Sequence, residues 1–331
     1  MVQPTSDTQV LLLLLSRLGQ PRAELVPLTA KDYDRLALWL QQQGLRPGDL
    51  LRAEGRTRLR QSALRFGEGD RVDALLDRGG ALGLALEGWL SKGLWVIGRG
   101  DPDYPRRLKQ KLRREAPPLL FGAGARTGLD AGGMAIVGSR AADAAALAFT
   151  QRLARRCARA GLVTISGGAK GVDREAMTAA LAAGGRVVGV LPAELERVAL
   201  EKAFRKALEC EQMTLLSPYD PGARFTVWSA MDRNKDVYAL SDFGAVVSSD
   251  FDKGGTWAGA LENLQARWVP LFVRDEPGTL EGNSRLVERG GIPLHSEDVE
   301  GASDWGAWLR RQSTVAGAPP TSPPEQSDLP I

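Results

Sequence analysis

Hydrophobic positions along this chain follow two rhythms. Up to about residue 90 they recur at helical spacing, as in Leu36, Leu38, Trp39 and Leu40, whereas beyond it short β-branched runs alternate with longer amphipathic stretches. Runs at 94–97, 136–137, 163–165, 187–191, 213–216, 245–247 and 269–273 read as strands. The stretches near 195–208, 225–240 and 257–267 read as helices. Strands that are apolar throughout must be covered on both faces, and in an alternating chain that means a parallel sheet between helix layers. The predicted fold class is α/β: a Rossmann-like doubly wound, mostly parallel sheet preceded by a small all-helical N-terminal domain.

The same pattern sets the expected boundaries: 1–92 helical, 93–300 core, 301–331 tail. Thr29-Ala30-Lys31-Asp32 opens one helix in the manner of a capping box, with Asp in place of the usual Glu, and Gly44 stops it. Further helices are expected over 56–66 and 70–89, the last broken at Gly79-Gly80. Leu11 to Leu15 is too short to cross a bilayer and lacks a basic flank or cleavage site, so it reads as one buried face of a short helix. After residue 300 the chain turns to Ser, Pro, Gly and Ala and is expected to be disordered, because that composition buries too little surface to offset chain entropy.

The candidate chemistry lies between Met134 and Asp173, where M-A-I-V-G-S-R leads through a helical run to L-V-T-I-S-G-G-A-K-G-V-D. This is a βαβα pattern, and in an open parallel sheet the turns at the carboxyl ends of neighbouring strands meet in one crevice. Gly138, Ser139 and Arg140 should therefore share a pocket with Ser166, Gly167, Gly168, Lys170 and Gly171. The glycines would let backbone approach a ligand, the following helix would offer unpaired N–H groups, and Arg140 and Lys170 would add charge, so phosphate is the expected ligand. Gly254, Gly255 and Thr256 open another helix after a strand and are candidates for the same role. Asp173 is expected to hold its loop through backbone N–H groups.

These motifs, taken together, resemble the DprA/Smf family of bacterial DNA-processing proteins. The similar residues run in the family's order: Tyr104-Pro105, Pro117-Pro118-Leu119-Leu120-Phe121, V-G-S-R ending at Arg140, S-G-G-A-K-G-V-D ending at Asp173, Arg233-Asn234, Gly254-Gly255-Thr256, and Gly282-Asn283 with Leu286. They cover roughly residues 93–295. The branch is divergent: Met177 stands where the family usually has His, Lys235 replaces the second Arg of an R-N-R element, and Gly254 to Ala260 replaces S-G-[ST]-L-I-T-A. The resemblance implies single-stranded DNA held at the glycine loops, with Asn234 a buried organiser and Arg233 either a ligand contact or the partner of an acid. It implies that the N-terminal helices form a sterile-alpha-motif-like bundle. It also implies protection of single strands and loading of RecA during natural transformation or recombination, by a homodimer joined through the late part of the core. Apolar candidates for that interface are Leu261, Leu264, Trp268, Leu271 and Phe272, with core positions as the alternative for several of them.

Composition alters this picture little. A net charge of +3 over 331 residues does not by itself indicate nucleic acid. The densest basic run is Arg106, Arg107, Lys109, Lys111, Arg113 and Arg114, which reads equally as phosphate contacts or as a solvated surface, whereas Arg52, Arg56, Arg58, Arg60 and Arg65 read first as a solvated helix face and only second as nucleic-acid contacts. Cys157 and Cys210 suggest neither a disulfide framework nor metal spacing, consistent with a reduced cytoplasmic setting without a membrane span. One histidine, His295, no nucleophile–base pair and no carboxylate cluster point away from catalysis, and no cofactor or metal is expected. The alternative is a nucleotide sensor or phosphoribohydrolase-like enzyme on the same fold, which would use P-G-G-x-G-T-x-x-E; Glu262 lies too far along to complete it. Trp257 is a core residue or a base-stacking ring, the core being the first expectation.

Overall fold

The computed structural model describes residues 3–20, 25–62 and 71–317. Nine strands form one sheet: β1 (Leu94–Gly98), β2 (Leu119–Gly124), β3 (Met134–Val137), β4 (Thr164–Ser166), β5 (Val187–Val190), β6 (Met213–Ser217), β7 (Phe243–Val246), β8 (Leu271–Arg274) and β9 (Ile292–Leu294). Their spatial order is β1-β2-β6-β5-β4-β3-β7-β8-β9. β2 runs antiparallel to both β1 and β6, and all other neighbours are parallel. The chain therefore winds outward from β3 through β6, then returns to β3's other side with β7. The helices that follow β3 and β7, Ala144–Arg159 and Gly254–Ala266, pack on opposite faces there, which is the switch point of a doubly wound sheet.

Side-chain alternation distributes β3 between two layers. Met134 and Ile136 join Phe149, Leu153 and Cys157, while Ala135 joins Val237, Trp257 and Leu286. The first layer also takes in the helices before residue 92, since Leu12, Leu14 and Leu36 belong to the same cluster as Leu119 and Phe121. This explains why Leu11 to Leu14 are buried on all sides and not on one face only: the helix Ser6–Leu15 is covered by its neighbouring helices as well as by β1 and β2. The capping box forms, Thr29 Oγ1 accepting from the Asp32 N–H at 3.1 Å and Asp32 accepting from the Thr29 N–H. Gly79 begins a separate helix, Gly79–Leu90, after the helix Arg71–Leu76. The expected helix end at 63–66 and the helix start at 70 lie outside the described residues.

One expectation is corrected. The tail is not disordered from 301, because Trp305–Val315 is a helix whose Trp305 and Leu309 are buried. Trp305 stacks on Trp308 with ring centroids 5.1 Å apart, and Trp308 lies against Phe272. The apolar spacing Trp305, Trp308, Leu309 supplies the buried face that the average composition concealed. The interface candidates divide between the two alternatives. Leu271 and Phe272 are strand residues in the core, and Leu261, Leu264 and Trp268 are half-buried against it.

Candidate nucleic-acid interface

The crevice between β3 and β7 has a volume of about 800 Å³. Its walls come from the turn after β3 (Gly138, Ser139, Arg140), the turn after β7 with the helix Gly254–Ala266, and the segment from Phe225 to Asn234. The Ser139 N–H donates to the Ser248 carbonyl at 2.8 Å, tying the two strand ends together. Asn283 fixes the same region from below: its Oδ1 accepts from the Ser249 N–H, and its Nδ2 donates to the carbonyls of Val247 and Arg274. Asn234 Nδ2 donates to the Gly255 carbonyl at 2.9 Å, so Asn234 orients the start of the helix Gly254–Ala266.

The glycines of the two loops serve different ends. A methyl group at Gly171 would lie 2.4 Å from the Ser139 carbonyl oxygen, and one at Gly138 would meet Val172 at 2.6 Å. One at Gly167 would overlap the Arg233 guanidinium, and one at Gly168 would strike Leu191. These four were expected at a ligand, but other parts of the chain occupy the space of their missing side chains: Gly138 and Gly171 let the turns after β3 and β4 interlock, while Gly167 makes room for Arg233 and Gly168 for Leu191. Gly254, with φ +78°, has nothing within 4 Å of the corresponding position and is open to the crevice. Ser166 is also internal; its hydroxyl donates to the Ile136 carbonyl at 2.7 Å. Lys170 is exposed but lies outside the crevice wall, whereas Thr256 and Gly255 line it.

Arg233 is the central cation. It is 4 % exposed, it borders the crevice, and its Nε has no hydrogen-bond partner. Among the described residues no carboxylate comes within ion-pair distance of it, although Asp173 and Asp236 act on it through space. Burial pulls the Arg233 pKa down and pushes that of Asp173 up to about 6, the latter opposed by Arg233 and by the N–H groups of Ala169 and Gly138. Asp173 thus does hold its loop, with Ala169 N donating to it at 3.4 Å. At the mouth, Arg140 is exposed and stands over the Phe225 ring, 5.0 Å from its centroid. Lys253, exposed beside Gly254, is a third cation on the wall, accompanied by the exposed carboxylates Asp250 and Asp252.

Other candidates are placed elsewhere. In the basic run, Arg107 pairs with Asp242 at 2.7 Å and Lys111 donates to the Ser241 carbonyl, both at the amino end of β7 and hence opposite the crevice. Burial lowers the Lys111 pKa to about 7. Arg52, Arg56 and Arg60 pair with Asp49, Asp77 and Asp73, and Arg58 donates to Gln43; Arg65 lies outside the described residues. Trp257 does border the crevice, but it is 4 % exposed and packs edge-to-face on Phe251, as a core residue. Met177 is buried against Gly189. His295 is exposed and faces Asp298. Among the described residues no group of three His, Cys, Asp or Glu could hold a metal ion, and no helix is long and apolar enough to cross a membrane. Lys253, Phe225, Val227 and Met231 are wall residues that sequence reasoning passed over. Lys253 adjoins a motif and was within reach, but nothing in the pattern marked the other three as facing a crevice.

A family model for DNA recombination-mediator protein A matches residues 95–298. The chain belongs to that family. Within it, DNA processing protein DprA of Bacillus subtilis is 28% identical over 222 residues, covering 65% of this chain and 73% of the relative. The solved structure of DprA from Streptococcus pneumoniae shares the fold, with a TM-score of 0.60 at 20% identity, covering 90% of this chain and 97% of the other. DNA processing protein A from Helicobacter pylori, whose structure concerns a single-stranded DNA binding mode, aligns with a TM-score of 0.50 at 25% identity over 60% of this chain and 90% of the other. The matched segment of the DNA recombination-mediator family contains every wall residue of the crevice.

Proposed function

We propose that the crevice between β3 and β7 binds single-stranded DNA through its phosphates, and that the protein acts as a non-catalytic DNA-processing protein. Arg233 carries this reading. A guanidinium taken out of water with an unpartnered Nε is destabilising unless an anion completes it, and a phosphate entering the crevice meets it together with Arg140, Lys253 and the open start of the helix Gly254–Ala266. The described binding mode of the Helicobacter pylori relative supports DNA as the source of those phosphates. In this role the protein protects incoming or exposed strands and helps load RecA in transformation or recombination, as a cytoplasmic homodimer. The dimer would use half-buried residues such as Leu264 and Trp268 at the late end of the sheet.

A salt titration of oligonucleotide affinity tests the proposal. Each phosphate contact contributes a slope of roughly 0.7 on a single strand, so Arg140→Ala and Lys253→Ala should each flatten the dependence by about that amount. Lys170→Ala, outside the wall, should change it less. Arg233→Gln should weaken binding about ten-fold or more at every salt concentration. Mononucleotide binding as tight as that of a long strand would instead make this a nucleotide sensor.

A further inference from the structure

The segment leading from β6 back toward the crevice exposes an apolar surface. Phe225 is 44 % exposed, Val227 70 %, Trp228 68 % and Met231 44 %. These four lie within seven residues, on the short helix Val227–Asp232 and the turn before it. Exposing large apolar side chains side by side is unfavourable unless something covers them, and single scattered ones would need no explanation.

We propose that this lip is a stacking platform for the unpaired bases of the strand whose phosphates lie in the crevice. The inference rests on the reading of the crevice as a single-strand site and adds to it the part of the ligand that the cations do not touch. Phe225, Val227 and Met231 are at once exposed on the lip and part of the crevice wall, so the apolar and cationic surfaces are continuous. Arg140 stands over Phe225 at their junction, placing a phosphate-binding group directly beside an aromatic ring. Trp228 is braced edge-on by Tyr219, with centroids 6.1 Å apart at 65°, which steadies the indole while most of it stays open. Tyr219 is in turn anchored by a 2.7 Å hydrogen bond to Asp232. Cations that track a backbone beside aromatic faces that receive bases are what sequence-independent single-strand binding requires. Duplex DNA hides its base faces in its own stack, so the lip also selects against duplex. A second copy seated on the lip would plug the crevice, which favours the strand as occupant.

The experiment compares a thymidine oligonucleotide with an abasic strand of equal length, using the full chain and its Trp228→Ala, Trp228→Tyr and Arg140→Ala variants. Wild type should prefer the base-bearing strand. Trp228→Ala should weaken that strand about ten-fold while leaving the abasic strand unchanged. Trp228→Tyr, which keeps a ring, should restore most of the loss. Arg140→Ala should weaken both strands. If wild type binds both strands equally, or if Trp228→Ala binds the base-bearing strand as wild type does, the platform is refuted while the phosphate site stands on the Arg140→Ala result. If wild type binds neither strand, both readings fall. Loss of self-association in Trp228→Ala with unchanged strand affinity would overturn the platform in favour of a second copy.

Discussion

Asp236 is 1 % exposed, with Oδ1 lacking a hydrogen-bond partner, and burial pushes its pKa up to about 8, against the opposing pull of Lys235 and Arg233. Because the folded value lies above the ordinary carboxylate value, the stability this group contributes is fully present below about pH 4 and is lost as pH rises through about 8. Asp236→Asn removes the ionisation, so urea unfolding of the variant should be flatter than that of wild type across this window. Above pH 8 the variant should be more stable by about 1 kcal/mol or more. Equal pH dependence in both proteins would place the native charge elsewhere. Asp173 adds a weaker trend of the same sign, ending near pH 6. At this scale the sequence singled out loops of which part does line the crevice, but not how their glycines are used. A glycine's pattern reports that a side chain is missing, as at Gly171 and Gly254, but only the tertiary neighbour decides whether ligand or protein fills the space. Arg233 was legible as a candidate and ambiguous in role; no ion pair forms at contact distance among the described residues, while Asp173 and Asp236 still act on it through space, a balance of burial and distance that sequence spacing does not carry.

Among elements, the parallel strands from β3 to β8 were legible because each is a short apolar run bounded by turns. β9, the three residues Ile292–Leu294 with a proline at the centre, offers too little pattern, and β2 was recognised as a motif but not as a strand. The stretch 225–240, read as one helix, divides at Arg233 into Val227–Asp232 and Asn234–Leu240. That division brings Arg233 to the crevice floor and leaves the preceding turn of helix exposed. The helix Trp305–Val315 was lost in the average of a Pro- and Ser-rich ending. Its anchoring is testable: Trp305 is 1 % exposed against the layer containing Cys157 and Phe272, so Trp305→Ala should destabilise the protein by about 3–5 kcal/mol in denaturant unfolding. A change under ~1 kcal/mol would mean the helix is dispensable to the core.

For the whole molecule, the family assignment and the sheet order agree with what the motifs implied, and assembly is the property they leave to experiment. Sedimentation at micromolar concentration should give a dimer, and Trp268→Ala with Leu264→Ser should shift it toward monomer without loss of the fold. Monomer alone in wild type would reject the proposed interface.

The return of the chain from β6 to β7 has a consequence for synthesis. Met134 pairs with Phe243, more than a hundred positions later, and the open glycine at 254 follows later still. At about 5–20 residues per second, β3 leaves the ribosome roughly 5–20 s before β7, and β6 roughly 1–5 s before it. Throughout that interval β3 presents an unpaired edge, and the wall formed by the helix Gly254–Ala266 does not yet exist. A nascent chain therefore lacks the complete crevice at the ribosome, and a product broken off before residue 240 has an open sheet edge in its place. Such fragments should aggregate, which light scattering of a chain truncated at residue 240 would show.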